Sequence, residues 1–154
     1  MPAMLAACGG FLLGVLWMDL LVDLQALDTP TAAGLASIAS YYRRVTIDAS
    51  PFHLLIGAVM LLTLAGAAYR VASSRAGSGR GWRVLAVLLV AVPIGLALAR
   101  VLPNAVRLGS GADPPATQAV LAHAICLDHL LCFALMLAFV VLMLASARAA
   151  RCGA

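Results

Sequence analysis

Apolar residues fill four long runs of this chain, and polar residues collect between them. The runs cover about 3–24, 51–69, 82–102 and 117–147. Each is close to or above the roughly 20 helical residues needed to cross hydrocarbon. The second opens with Asp48-Ala-Ser50-Pro51, a capping residue followed by a proline tolerated in the first turn. Pro93 inside the third predicts a kink, and Asp113-Pro-Pro precedes the fourth. The pattern predicts an all-α four-helix membrane bundle, with residues 1–154 forming one membrane domain.

Between the first two runs, Leu35, Ile38, Tyr42 and Val45 recur at helical spacing. They predict a short interfacial helix, with Tyr41-Tyr42-Arg43-Arg44 at headgroup level. The Gly/Ser/Arg-rich stretch 73–81 predicts a flexible turn without chemistry. Gly10-x-x-x-Gly14 predicts close helix packing, within the bundle rather than in a dimer. The first run has no basic leader and no clear small-residue cleavage site, so it is expected to be a span, not a signal peptide.

Composition agrees with the membrane assignment. The chain is 64% hydrophobic and 10% charged, where a soluble domain is about half apolar and a quarter charged. Its formal charge of +4 is too small and too dispersed for nucleic acid. All basic residues are Arg and all acidic ones Asp. Arg70, Arg75, Arg80, Arg83, Arg148 and Arg151 flank one side of the spans, against Arg43, Arg44, Arg100 and Arg107 on the other. The bias predicts an integral membrane protein with both termini cytoplasmic. Cys8, Cys126, Cys132 and Cys152 form no C-x-x-C pair, so buried free thiols are expected.

The polar groups inside the spans cluster at one depth. At 1.5 Å per residue, Asp19 lies about 24 Å from Ala3, His53 about 25 Å from Arg70, and Arg100 about 25 Å from Arg83. Asp128 lies about 30 Å from Arg148, with Asp23 and Asn104 near the same depth. Each span thus places a polar group in the outer quarter of the membrane, which is the pattern of a polar pocket in the non-cytoplasmic leaflet above an apolar floor. Polar span ends meeting water are the plainer explanation. Against it, Asp19 and Asp23 are one turn apart and share a face, and Arg100 sits in an apolar run. An Asp19–Arg100 pair is the simplest way to satisfy both. Tyr41, Tyr42, Arg43 and Arg44 are expected to roof the pocket, the arginines meeting a lipid phosphate or an anionic substrate.

The fourth run carries His123-Ala-Ile-Cys126-Leu-Asp128-His129-Leu-Leu-Cys132. Steps of three drift around the helix, so these groups cannot all converge on one ion. His129 and Cys132 with Asp19 remain weak candidates for a transition metal such as zinc or copper, and no cofactor is otherwise predicted. Imidazoles and carboxylates at this depth are also general acid–base candidates, His53, His123 and His129 among them.

The order of elements resembles a small four-span membrane family that includes the anthrone-oxygenase-like proteins. The resemblance rests on Tyr41-Tyr42-Arg43-Arg44 between the first two spans, on Leu102-Pro103-Asn104-Ala-Val-Arg107-Leu108 ending the third, and on His129 within Leu127-Asp128-His129-Leu130. It implies cofactor-independent oxidation of an activated aromatic or quinol-like substrate. Asp128 and His129 would then be catalytic, and Asp19, Asp23, Tyr42, Arg43, Arg44, His53, Arg100 and Asn104 would support or bind substrate. Expected partners are membrane lipids and a lipophilic small molecule, and an oligomer is open. Two other readings stay open: a metal-binding or transport protein, and a scaffold subunit without chemistry.

Overall fold

The computed structural model describes residues 1–27, 31–48, 51–73 and 80–152, with side chains at all of these except 51–53 and 150–152. The described residues form helices and short turns, with no strand among them. Helix α1 (Pro2–Asp23) runs into a 3-10 turn, Leu24–Ala26. Helix α2 (Ala32–Tyr42) widens into a π turn, Arg43–Ile47, and α3 spans Pro51–Ala72. Helix α4 (Arg80–Leu96) passes through a second π turn, Ala97–Val101, into α5 (Leu102–Ser110), and α6 spans Pro115–Cys152.

Four helical stretches are long and apolar enough to cross a membrane: Pro2–Ala26, Leu54–Ala72, Arg80–Ser110 and Pro115–Ala149. The protein is an integral membrane protein, an all-α bundle. The third span is longer than the sequence pattern indicates, because Pro103-Asn104 does not end the third helix. Pro103 cannot donate to the carbonyl four residues back, and its ring crowds that carbonyl. The helix widens instead of stopping: the Leu102 N–H bonds the Ala97 carbonyl, five residues back. It ends only at Gly111, whose φ of 66° caps α5 in the left-handed region. A bidentate Arg107–Asp113 pair, 2.7 and 2.8 Å, then clamps the turn into α6.

The four spans form a ring. Helix α6 lies against α1 and α4, and α3 closes the ring between those two. Helices α1 and α4 therefore stand diagonally. Helices α1 and α6 approach closely at Gly9, where a methyl group would lie 2.9 Å from Val140 and 3.0 Å from Phe139 of α6. Gly66 of α3 similarly admits Leu5 of α1, 2.8 Å from where its Cβ would be. The expected Gly10-x-x-x-Gly14 contact is not made, since neither glycine has an atom of another element within 4 Å of its missing methyl. Both face a cavity instead.

Two apolar cores result. At the Arg-rich end, Leu5, Ala67, Val90, Phe139 and Met143 pack together. At the Asp-rich end, Leu35, Ile38, Tyr42, Leu108 and Ile125 do so. The second core contains the apolar stripe of α2, a helix capped by Thr31 accepting from the Gly34 N–H. The stripe faces α5 and α6, so Leu35, Ile38 and Tyr42 are buried against protein. Close backbone contact holds it there: a methyl at Gly109 of α5 would stand 2.7 Å from the Arg43 backbone nitrogen.

Candidate functional site

Asp23 organises the Asp-rich end. It is fully buried at the end of α1, with 0% of its surface exposed. A lone carboxylate there would be very costly, so both oxygens are engaged. Oδ1 accepts from the Tyr42 hydroxyl at 2.6 Å, and Oδ2 lies 2.5 Å from His129 Nδ1. One carboxylate therefore ties α1 to α2 and α6. When the carboxylate is ionised it can only accept, so Nδ1 is then the donor and Nε2 is the ring nitrogen that Asp23 does not hold.

One turn earlier on α1, Asp19 accepts from the Tyr41 hydroxyl at 2.5 Å. Burial first, and then the neighbouring carboxylate, raise both tyrosine pKa values above the ordinary phenol value, that of Tyr42 the further. The hydroxyls therefore stay donors. The two rings meet edge-on, 5.3 Å between centroids. The π turn after Tyr42 continues the roof, and Thr46 bonds back to the Tyr42 carbonyl at 2.7 Å.

Beneath this roof lies a cavity of about 810 Å³ between the two cores. Asp19, Tyr41, Tyr42, Thr46, His129 and Cys132 are its polar wall residues, and all belong to the Asp-rich half. The rest is apolar, including Leu12, Ile56, Met60, Ile94, Val101 and Met136. Phe11, Met18 and Leu98 also line it and are exposed, so it communicates with the outside of the bundle along the spans. Cys132 turns its thiol toward the Pro93 carbonyl, 3.8 Å away.

Of the residues singled out from sequence, Asp19, Asp23, Tyr42 and His129 come together. Asp128 does not join them. Neighbouring helical residues point about 100° apart, so with His129 facing α1 and the cavity, Asp128 faces α4. There it meets Arg100, Nε to Oδ2 3.2 Å, with the arginine side chain 58% exposed and the aspartate 8%. The expected Asp19–Arg100 pair is thus replaced by Asp19–Tyr41 and Arg100–Asp128, because α1 and α4 are diagonal. Arg43 and Arg44 are exposed, Asn104 is half-buried, and none of the three lines the cavity. His53 lies in the first turn of α3, but its side chain is outside the described ones. Among the described residues no three His, Cys or Asp side chains converge as metal ligands, so His129, Cys132 and Asp19 do not form the weak candidate set. Tyr41 was named from sequence only as part of the roof, and its pairing with Asp19 has no local signal. Tyrosine and aspartate are 22 residues apart, on different helices.

No family model, no curated protein and no solved structure matches this chain.

Proposed function

We propose that the protein binds a lipophilic molecule in this cavity and acts on it by acid–base chemistry, with His129 as the base. One observation carries the proposal. An imidazole stands in the wall of an apolar cavity with Nδ1 held by a carboxylate that is itself held by a tyrosine. Such a carboxylate fixes the tautomer and orientation of the ring and stabilises the imidazolium formed when Nε2 takes a proton. The cavity falls within the roughly 300–1,000 Å³ of small-molecule sites, and its side opening suits a substrate dissolved in the bilayer. Asp19 and Tyr41 supply a second polar contact for the head of the molecule.

The fitting substrate has a mostly apolar ring system and one acidic hydroxyl or activated CH group. Removal of that proton would give the electron-rich anion that dioxygen oxidises in the cofactor-independent reaction implied by the resemblance to anthrone-oxygenase-like proteins, one oxygen atom entering the ring carbon as a carbonyl and the other leaving as water. In this reading Asp23, rather than Asp128, partners His129. The arginine bias supports placing the site in the non-cytoplasmic leaflet.

Deuterium exchange into the methylene of anthrone tests the proposal, since it reports proton abstraction with or without oxidation. Reconstituted protein should accelerate exchange. His129→Gln should reduce the acceleration by about 10²- to 10⁴-fold, the usual contribution of a positioned acid or base. Asp23→Asn should also slow it, with folding followed separately by circular dichroism. Unchanged exchange in folded His129→Gln protein would refute the catalytic role. Binding without any exchange would leave a carrier.

A further inference from the structure

The Arg-rich end holds two guanidinium groups around one indole ring. Arg70, near the end of α3, has its guanidinium carbon 5.0 Å from the centroid of Trp82, and Arg83 of α4 has its own at 5.8 Å. Cation–π contact stabilises each but neutralises neither. With Ala67, Ala86 and Met143 the two arginines line a narrow recess between α3, α4 and α6.

Neither has an oxygen acceptor among the described residues. Arg70 Nη1 donates to the sulfur of Met143 at 3.0 Å, and thioether sulfur is a weak acceptor. Arg83 Nε is buried without a hydrogen-bond partner. The sequence explains the deficit. The chain has no Glu, and its six Asp are at positions 19, 23, 28, 48, 113 and 128, none at this end of any span. Arg80 and Arg148 are exposed nearby in the same end turns and add positive potential. Two like charges share a ring at the edge of a low-dielectric region, with no aspartate or glutamate side chain among the described residues there to offset them.

We propose that Arg70 and Arg83 bind a phosphate group, supplied by an anionic phospholipid of the leaflet at this end. Guanidinium forks match phosphate oxygens. The phosphate of a lipid lies where these side chains emerge from the hydrocarbon. A headgroup with net negative charge fits better than phosphocholine, whose ammonium would meet Arg80 and Arg148.

Trp82 is both part of the site and its reporter. With Trp17→Phe it becomes the sole tryptophan of the chain, which has two. The protein is placed in phosphatidylcholine vesicles containing a small fraction of brominated lipid, either phosphatidylglycerol or phosphatidylcholine. Brominated phosphatidylglycerol should quench Trp82 preferentially. Arg70→Gln with Arg83→Gln should cut that preference by more than the roughly 30-fold that two arginines contribute through charge alone, about fivefold each. Arg80→Gln with Arg148→Gln removes as much charge but spares the clamp, and should cost no more than that charge contribution.

Equal quenching by the two lipids in the Trp17→Phe parent overturns the proposal, and that measurement needs no arginine variant to fold. Equal losses in the two double variants also overturn it, because diffuse surface charge would then suffice. Millimolar inorganic phosphate that abolishes the preference would keep the phosphate site and overturn its assignment to lipid.

Discussion

Replacing Tyr42 with Phe removes one oxygen and leaves the packing volume nearly unchanged. The effect should be large for so small a change. Tyr42 is 3% exposed and its acceptor, Asp23, is 0% exposed. The substitution leaves Oδ1 of a fully buried carboxylate, which does not itself line the cavity, facing a ring edge. Interhelical hydrogen bonds in membranes average about 0.6 kcal/mol and reach about 1.7, because chains unfolded in the bilayer find other partners. A buried charged acceptor lies at or above the top of that range, so a loss of about 2 kcal/mol is expected, near 30-fold in the unfolding equilibrium. Tyr41→Phe provides the comparison. Asp19 is only half-buried and borders the cavity, where water or a ligand can replace the lost donor. Its loss should be about 0.5–1 kcal/mol. Reversible unfolding in mixed micelles, followed by tryptophan fluorescence, measures both. In a double-mutant cycle, Tyr42→Phe and Asp23→Asn should couple strongly. Equal losses for the two tyrosines, or no coupling to Asp23, would refute the claim that this carboxylate organises the site.

Gly109→Ala should destabilise by about 1–3 kcal/mol, because the atom it meets is backbone and cannot rotate away. Gly14→Ala, facing the cavity, should stay within about 0.5 kcal/mol in the same unfolding assay. Asp113 has its pKa lowered, chiefly by the hydrogen bonds from Arg107, so the pair stabilises the fold above the ordinary carboxylate value and loses that contribution as pH falls through the lowered one. Carbon-13 titration should place the Asp113 carboxyl below its usual range, and Arg107→Gln should return it upward. In alkaline absorbance titration the Tyr41 and Tyr42 phenols should stay protonated near pH 10, where a free phenol ionises. Raised values stabilise the fold, a contribution fully present below the ordinary phenol value and lost as pH rises from there through the raised ones.

Much of the architecture is legible in the chain. Four apolar runs make four spans, because hydrocarbon demands long helices with internally satisfied backbone. The stripe Leu35, Ile38, Tyr42 is buried as its spacing implies, since a helix fixes which side chains share a face. Counting residues along each span also collects Asp19, Asp23, Arg100, Asp128 and His129 at one end, because helical rise is constant. Helix ends were less legible: Pro103 looks like a stop, yet a π turn absorbs it.

Partner choice was not legible. From depth alone Asp19 and Arg100 were a reasonable pair, and Asp128 with His129 a reasonable site. Depth fixes one coordinate of a side chain. Which helices are neighbours, and how each is rotated, fix the others. Placing α1 diagonal to α4 gave Arg100 to Asp128, and the α5 backbone at Gly109 holds α2 so that Tyr41 and Tyr42 reach α1. The sequence by itself therefore determined the spans, the buried stripe and the polar end, all consequences of periodicity and burial within single helices. Only the tertiary structure decided that Asp23 holds His129, that Gly10 and Gly14 border a cavity, and that Arg70 and Arg83 share one indole. Each depends on contacts between segments far apart in the chain, which helical periodicity does not encode.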